Sequence, residues 1–136
     1  MKFKWEQSLM YGVEPMDSEH ERIINQVDAL YDAIQNHESD EVILETIKFL
    51  SKYVEEHFDS EEKLQKKYAY PEIESHKQIH TDFKKLVGDL IDEVKTKGLT
   101  AKRKIEINKM VLQWLRDHIA KDDKIVAEHI KSSGYK

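Results

Sequence analysis

Apolar side chains recur along this chain at steps of three and four residues, over stretches much longer than the gaps between them. That spacing returns to one face of an α-helix every turn, and no stretch shows the two-residue alternation of a half-buried strand. Ile23, Val27, Leu30 and Ile34 mark a first helix, which Ser18 and Glu21 open as a capping box and which runs over about 18–36. Ser39 or Asp40 can cap a second over about 40–67, with Ile43, Ile47, Leu50, Val54, His57, Glu61 and Leu64 on its stripe. Pro71 suits the first turn of a third over about 71–97, which reads Ile73, His76, His80, Phe83, Val87, Leu90 and Val94 until Gly98 stops it. Thr100 can cap a fourth over about 100–131, carrying Ile107, Val111, Trp114, Leu115, His118 and Ile125.

Short connections between long amphipathic helices favour antiparallel neighbours. The expected fold is therefore all-α: an up-down-up-down antiparallel four-helix bundle forming one domain, 1–136, with an N-terminal arm over 1–17. Chain length agrees, since 136 residues suffice for one core without disulfides. The 22 basic and 27 acidic residues are interspersed and leave a charge of −5, which argues against a nucleic-acid or anionic-membrane surface. Lys102-Arg103-Lys104 reads as a solvated helix face. No apolar run is long enough to span a bilayer, and MKFKWEQSLMYG lacks the apolar centre of a signal peptide, so a cytoplasmic protein is expected. The absence of cysteine excludes thiolate metal sites, iron–sulfur clusters and cysteine nucleophiles.

Seven histidines add candidate chemistry to this bundle, because five of them fall where core residues belong. His57 shares the stripe of helix two with Glu61, His76 and His80 lie on that of helix three, and His118 on that of helix four. Buried imidazoles and a buried carboxylate each need partners. Counting along antiparallel helices at a common rise, His20, His57, His80 and His118 stand at similar distances from the helix ends they share, so five histidines and Glu61 meet in one layer. Imidazoles mixed with carboxylates suit zinc, iron, copper or nickel rather than calcium or magnesium. With an aspartate after His118 there are seven ligands, which are too many for one ion and enough for two if the carboxylates bridge. Iron is the favoured metal because it accepts this mixed shell with a position open to a diatomic ligand. His37 at a helix end and His129 outside the layer receive no metal role.

The set His20, His57-x-x-x-Glu61, His76-x-x-x-His80 and His118-x-x-x-x-Asp123 resembles the hemerythrin family, specifically its single-domain bacteriohemerythrins. Trp5 in the arm, Asp17-Ser18-Glu19-His20, Tyr70-Pro71 and Trp114 before His118 add to the likeness. The resemblance implies two iron ions per chain, one held by His76, His80 and His118 and the other by His20 and His57. Glu61, Asp123 and a solvent-derived oxo or hydroxo group would bridge them, leaving the second ion five-coordinate with dioxygen as its ligand. On an ideal helix Asp123 points about 140° from His118 while Asp122 shares its face, so Asp122 is the alternative bridge unless a π-bulge near Ala120 intervenes. Ile23, Phe58, Trp114 and Leu115 are expected to form an apolar oxygen pocket.

The function so implied is reversible dioxygen binding for storage, transport or sensing, by a protein that is not an enzyme. The alternative is a di-iron enzyme with peroxidase, oxidase or nitric oxide-scavenging activity. Oxygen-activating bundles carry a Glu-x-x-His pair on each of two helices, which this chain lacks. A structural zinc site would not need seven ligands. Dioxygen is the implied partner, and the residues point to no particular redox or oxygen-accepting protein.

Overall fold

The computed structural model describes residues 7–135; Trp5 of the expected arm lies outside them. A short 3-10 turn at Gln7–Leu9 precedes five helical segments: α1, Met16–Gln35; α2, Asp40–Lys67; α3, Ile73–Lys97; α4, Ala101–Asp117; and α5, Asp123–Ser132. Between α4 and α5 the rod does not break. It passes through a π-helical turn, His118–Asp122, so the two form the fourth member of the bundle. Helix α1 packs on α2, α2 on α3, and α4 back on α1, giving the up-down-up-down arrangement. Among the described residues no helix is long and apolar enough to cross a membrane.

Local chemistry sets the helix ends. Ser39 accepts the Val42 amide at 3.2 Å and Thr100 the Arg103 amide at 3.1 Å, so both act as N-caps. At the end of α3, Gly98 takes a left-handed φ of 71°, and a Cβ there would stand 3.3 Å from Asp40 Oδ2. The same oxygen accepts the Leu99 amide at 3.0 Å, tying the α3–α4 connection to the start of α2.

Helix α1 starts differently from the expected capping box. It begins at Met16 after Pro15, and Ser18 Oγ donates to Glu14 Oε2 at 2.7 Å instead of capping. Asp17 accounts for the change: its carboxylate is buried and accepts the amides of Tyr11 and Gly12 at 2.9 and 2.8 Å, folding the arm back on the helix. Helix α3 likewise begins at Ile73, two residues beyond Pro71.

The core is built from two apolar clusters. The larger holds Ile23, Leu30, Ile47, Phe58, Phe83, Leu115 and Ile119 among others. The smaller holds Val13, Met16, Tyr70, Val126, Ala127 and Ile130. On three of the helices the polar residues fall between them: His20 between Met16 and Ile23, His76 and His80 between Ile73 and Phe83, and Asp123 between Ile119 and Val126.

Two expected core positions move. Ile125 is 56% exposed while Val126 is buried, because the π turn adds a residue and advances the register of α5. On α2, Gln65 is buried where the stripe predicts Leu64, since its amide donates to Glu61 Oε1 at 3.2 Å.

Replacing either cap, Ser39→Ala or Thr100→Ala, is expected to lower unfolding free energy by about 1 kcal/mol in urea denaturation. Both caps lie at the far end of the bundle from the histidine layer, so metal content should not change.

Candidate metal centre

Four elements bring the seven groups together: His20 from α1, His57 and Glu61 from α2, His76 and His80 from α3, and His118 and Asp123 from the two ends of the π turn. Each is at most 3% exposed. Their ligand atoms fall into two sets, each within 4.8 Å: Glu61, His76, His80, His118 and Asp123, and His20, His57, Glu61 and Asp123.

The two carboxylates belong to both sets and divide them oxygen by oxygen. Glu61 turns Oε1 to Nε2 of His76 and, at 3.6 Å, to that of His80, and turns Oε2 to His57 Nε2 at 2.9 Å. Asp123 turns Oδ1 to His118 Nε2 at 3.1 Å and His76 Nε2 at 3.3 Å. Its Oδ2 faces His20 Nε2 at 2.7 Å and His57 Nε2 at 3.3 Å. The five histidines are thereby split into three and two.

These contacts are short but mostly not hydrogen bonds. Nε2 of His76, His80 and His118, Oε2 of Glu61 and Oδ1 of Asp123 are buried without a hydrogen-bond partner. Unpaired buried polar atoms are costly, and here several converge from different helices. A donor set of imidazole nitrogens and carboxylate oxygens aimed at common points fits transition-metal cations.

The π turn accounts for the five-residue spacing between His118 and Asp123. Its i→i+5 hydrogen bond runs from the Asp123 amide to the His118 carbonyl, which brings Asp123 onto the His118 face. Asp122 sits on the other side of the ring, with Oδ2 3.1 Å from His118 Nδ1. The Tyr11 hydroxyl donates to the Ile119 carbonyl at 2.6 Å, pinning this turn from the arm.

Three outer carboxylates escape a periodicity argument. His57 Nδ1 donates to Glu19 at 3.0 Å, His80 Nδ1 to Glu62 at 2.9 Å, and His118 Nδ1 to Asp122. Such partners fix the ring and make Nε2 the free nitrogen. The available signal was adjacency, since each precedes or follows one of the seven groups in sequence: Glu19 and His20, Glu61 and Glu62, Asp122 and Asp123.

Of the expected pocket residues, Ile23, Phe58 and Leu115 are buried in the larger cluster, while Trp114 is half-buried. Phe58 stacks on His80 with centroids 3.7 Å apart, and Trp114 on His118 at 4.8 Å. His37 is exposed with a left-handed φ of 55° after α1, and His129 Nε2 donates to the Tyr68 carbonyl at 2.7 Å, away from the seven.

The family described as hemerythrin HHE cation binding domain matches residues 11–130. The chain belongs to the hemerythrin family. It is 30% identical over 121 residues to a myohemerythrin of Theromyzon tessulatum, covering 89% of this chain and 88% of that one. A bacteriohemerythrin of Stenotrophomonas maltophilia is 29% identical, over 94% of this chain and 81% of the relative. Two crystal structures share the fold. One is a leucine-to-phenylalanine variant with a TM-score of 0.82 and 24% identity; the other is a hemerythrin leucine-to-tyrosine variant with 0.77 and 22%. Each covers 94% of this chain and 96% of its own.

Without metal, this hemerythrin-family core balances charge with protons. Burial disfavours the charged imidazoles, but the negative charge of the facing carboxylates, with the Nδ1 bonds of His57 and His118, outweighs it: His76 rises to about 9, His118 to about 10, and His57 well above its ordinary value. Burial likewise pushes Glu61 and Asp123 up, yet the facing histidines hold both well below the usual carboxylate range.

The sign of the pH dependence follows. The raised histidines stabilise the metal-free fold fully below about 6.5, and that contribution is lost as pH rises through about 9 to 10. The lowered carboxylates contribute above their ordinary range and lose it in acid. The urea midpoint of the metal-free protein should therefore fall between pH 6.5 and pH 10. Metal uptake at pH 7 should release about three protons per chain, from His57, His76 and His118, measurable in weakly buffered solution with an indicator dye.

Proposed function

We propose that this chain binds dioxygen reversibly at a pair of iron ions. The observation that carries the reading is the division of Glu61 and Asp123, each with one oxygen toward His76, His80 or His118 and the other toward His20 or His57. A carboxylate so arranged can serve two cations at once, and two shared carboxylates with three and two imidazoles make unequal shells. His76, His80 and His118 would hold one ion. His20 and His57 would hold the other, where the smaller donor set would leave room for an added ligand. A ferrous pair held there would supply two electrons to dioxygen and recover them on release.

The protein's own contribution is to hold the ligands and to keep water and protons out. Glu19, Glu62 and Asp122 fix three of the rings through Nδ1. Phe58 covers one face of His80 at stacking distance, and Ile23, Leu115 and Ile119 extend the apolar wall of the larger cluster up to the layer. Ile23, Phe58, Leu115 and Ile119 carry no side-chain group that can donate a proton. This favours holding a ligand and returning it unchanged over turning it over, which needs a positioned acid. The absence of Glu-x-x-His pairs weighs the same way.

The test is the visible spectrum of the iron-loaded, reduced protein as dioxygen is admitted and then removed. A band that appears and disappears over repeated cycles supports reversible binding; conversion on the first exposure to a ferric spectrum that removal of dioxygen does not reverse contradicts it. Leu115→Ser, which sets a hydroxyl and water in the wall, should keep the fold and the iron but shorten the life of the oxygenated band by about tenfold, equivalent to about 1.4 kcal/mol of barrier. An unchanged lifetime would remove Leu115 from that role.

A further inference from the structure

The seven groups of the metal centre are at most 3% exposed, yet a ferric pair must be reduced before it can serve again, so electrons need a way in. Trp114 is placed to supply one. Its indole stacks on the ring of His118, with centroids 4.8 Å apart and planes at 24°. It also stacks on Phe83 at 3.9 Å and 23° and meets Phe58 edge-on at 6.2 Å; Phe58 in turn lies on His80 at 3.7 Å and 5°. The inner end of Trp114 therefore joins an aromatic stack covering two imidazoles of the three-histidine set.

The other end reaches the surface. Trp114 is half-buried and lines an open depression of about 520 Å³ along α4, bordered by Arg103, Glu106, Lys109, Met110 and Asp117. The neighbouring aromatic groups are placed less well. Phe58 and Phe83 are at most 1% exposed, and Tyr11 meets His20 only edge-on, with centroids 6.3 Å apart. Among the described residues, Trp114 is the ring that both stacks on an imidazole of the layer and lines a surface depression.

We propose that Trp114 is the contact through which single electrons pass from an external one-electron donor to the metal centre. The inference rests on the di-iron reading. In each event a low-potential donor in the depression loses one electron and one ferric ion gains it. No bond forms or breaks at the indole, which is unchanged afterwards, and two donors are oxidised for each ferric pair. Tunnelling falls off exponentially with distance, so an aromatic bridge between the depression and His118 carries the electron better than an aliphatic side chain and the gap behind it.

The experiment mixes the oxidised, iron-loaded protein with reduced methyl viologen without oxygen and follows the rate at which the ferric absorption is lost. Trp114→Leu should slow this second-order reduction by about tenfold or more. Trp114→Phe, which keeps a stacked ring, should lie between it and the wild type. A Trp114→Leu protein that holds two irons and is reduced as fast as the wild type overturns the inference and leaves the di-iron reading standing. A wild type that binds no iron overturns both.

A second readout needs no turnover. The chain has two tryptophans, so in a Trp5→Phe background the emission comes from Trp114 alone. Ferric iron, which can accept an electron from the excited indole, should quench that emission strongly. Zinc, which cannot, should leave most of it. Equal emission from the two forms contradicts electronic contact between Trp114 and the centre.

Discussion

Burying an ionised carboxylate costs several kcal/mol unless it is paired, and this bundle buries Glu61 and Asp123 with no exposure at all. Their compensation is the constraint on which the structure depends. Five imidazoles from four elements surround them, and each carboxylate is shared between the three-histidine and two-histidine sets. With metal absent, protons on the imidazoles supply the opposing charge; bound cations would take that place and leave the imidazoles neutral. The same residues can thus satisfy two charge balances, and metal binding would exchange one for the other.

The geometry that allows sharing comes from the backbone as much as from the side chains. A regular helix would turn Asp123 away from His118; the π turn supplies the added residue that aligns them and frees Asp122 to hold the opposite edge of the ring. The arm is part of this arrangement. Asp17 draws Tyr11 and Gly12 down by their amides, and Tyr11 then reaches the Ile119 carbonyl inside the turn. Its hydroxyl is pushed up to about 12 by burial and the nearby charges of Asp123 and Asp17, so it stays protonated and remains a donor at neutral pH.

Much of this was legible in the sequence because periodicity reports the face a residue presents. The stripe that carries Ile43 to Val54 into the core carries His57 and Glu61 there too, and equal distances from shared helix ends align the histidines of different helices. What periodicity cannot report is a change of register. One added residue at the π turn leaves Ile125 outside and puts Val126 in the core, and only a resemblance favoured Asp123 over Asp122. The helix starts that differed, at Met16 and Ile73, depend on contacts made elsewhere: Asp17 serves the arm before it serves the helix. The Tyr11–Ile119 bond joins residues 108 positions apart, and no local pattern encodes it. Glu19, Glu62 and Asp122 were visible as acids beside ligands, but their direction toward the neighbouring rings is set by tertiary packing.

Everything proposed for this bundle depends on Glu61 and Asp123 being shared by two cations. The direct measurement is an anaerobic titration of the metal-free protein with ferrous iron, followed, after oxidation, by magnetic susceptibility. Sharing predicts an end point of two irons per chain and a ferric pair whose spins are antiferromagnetically coupled through the bridges. An end point of one iron per chain, or two ferric ions with independent moments, would contradict it.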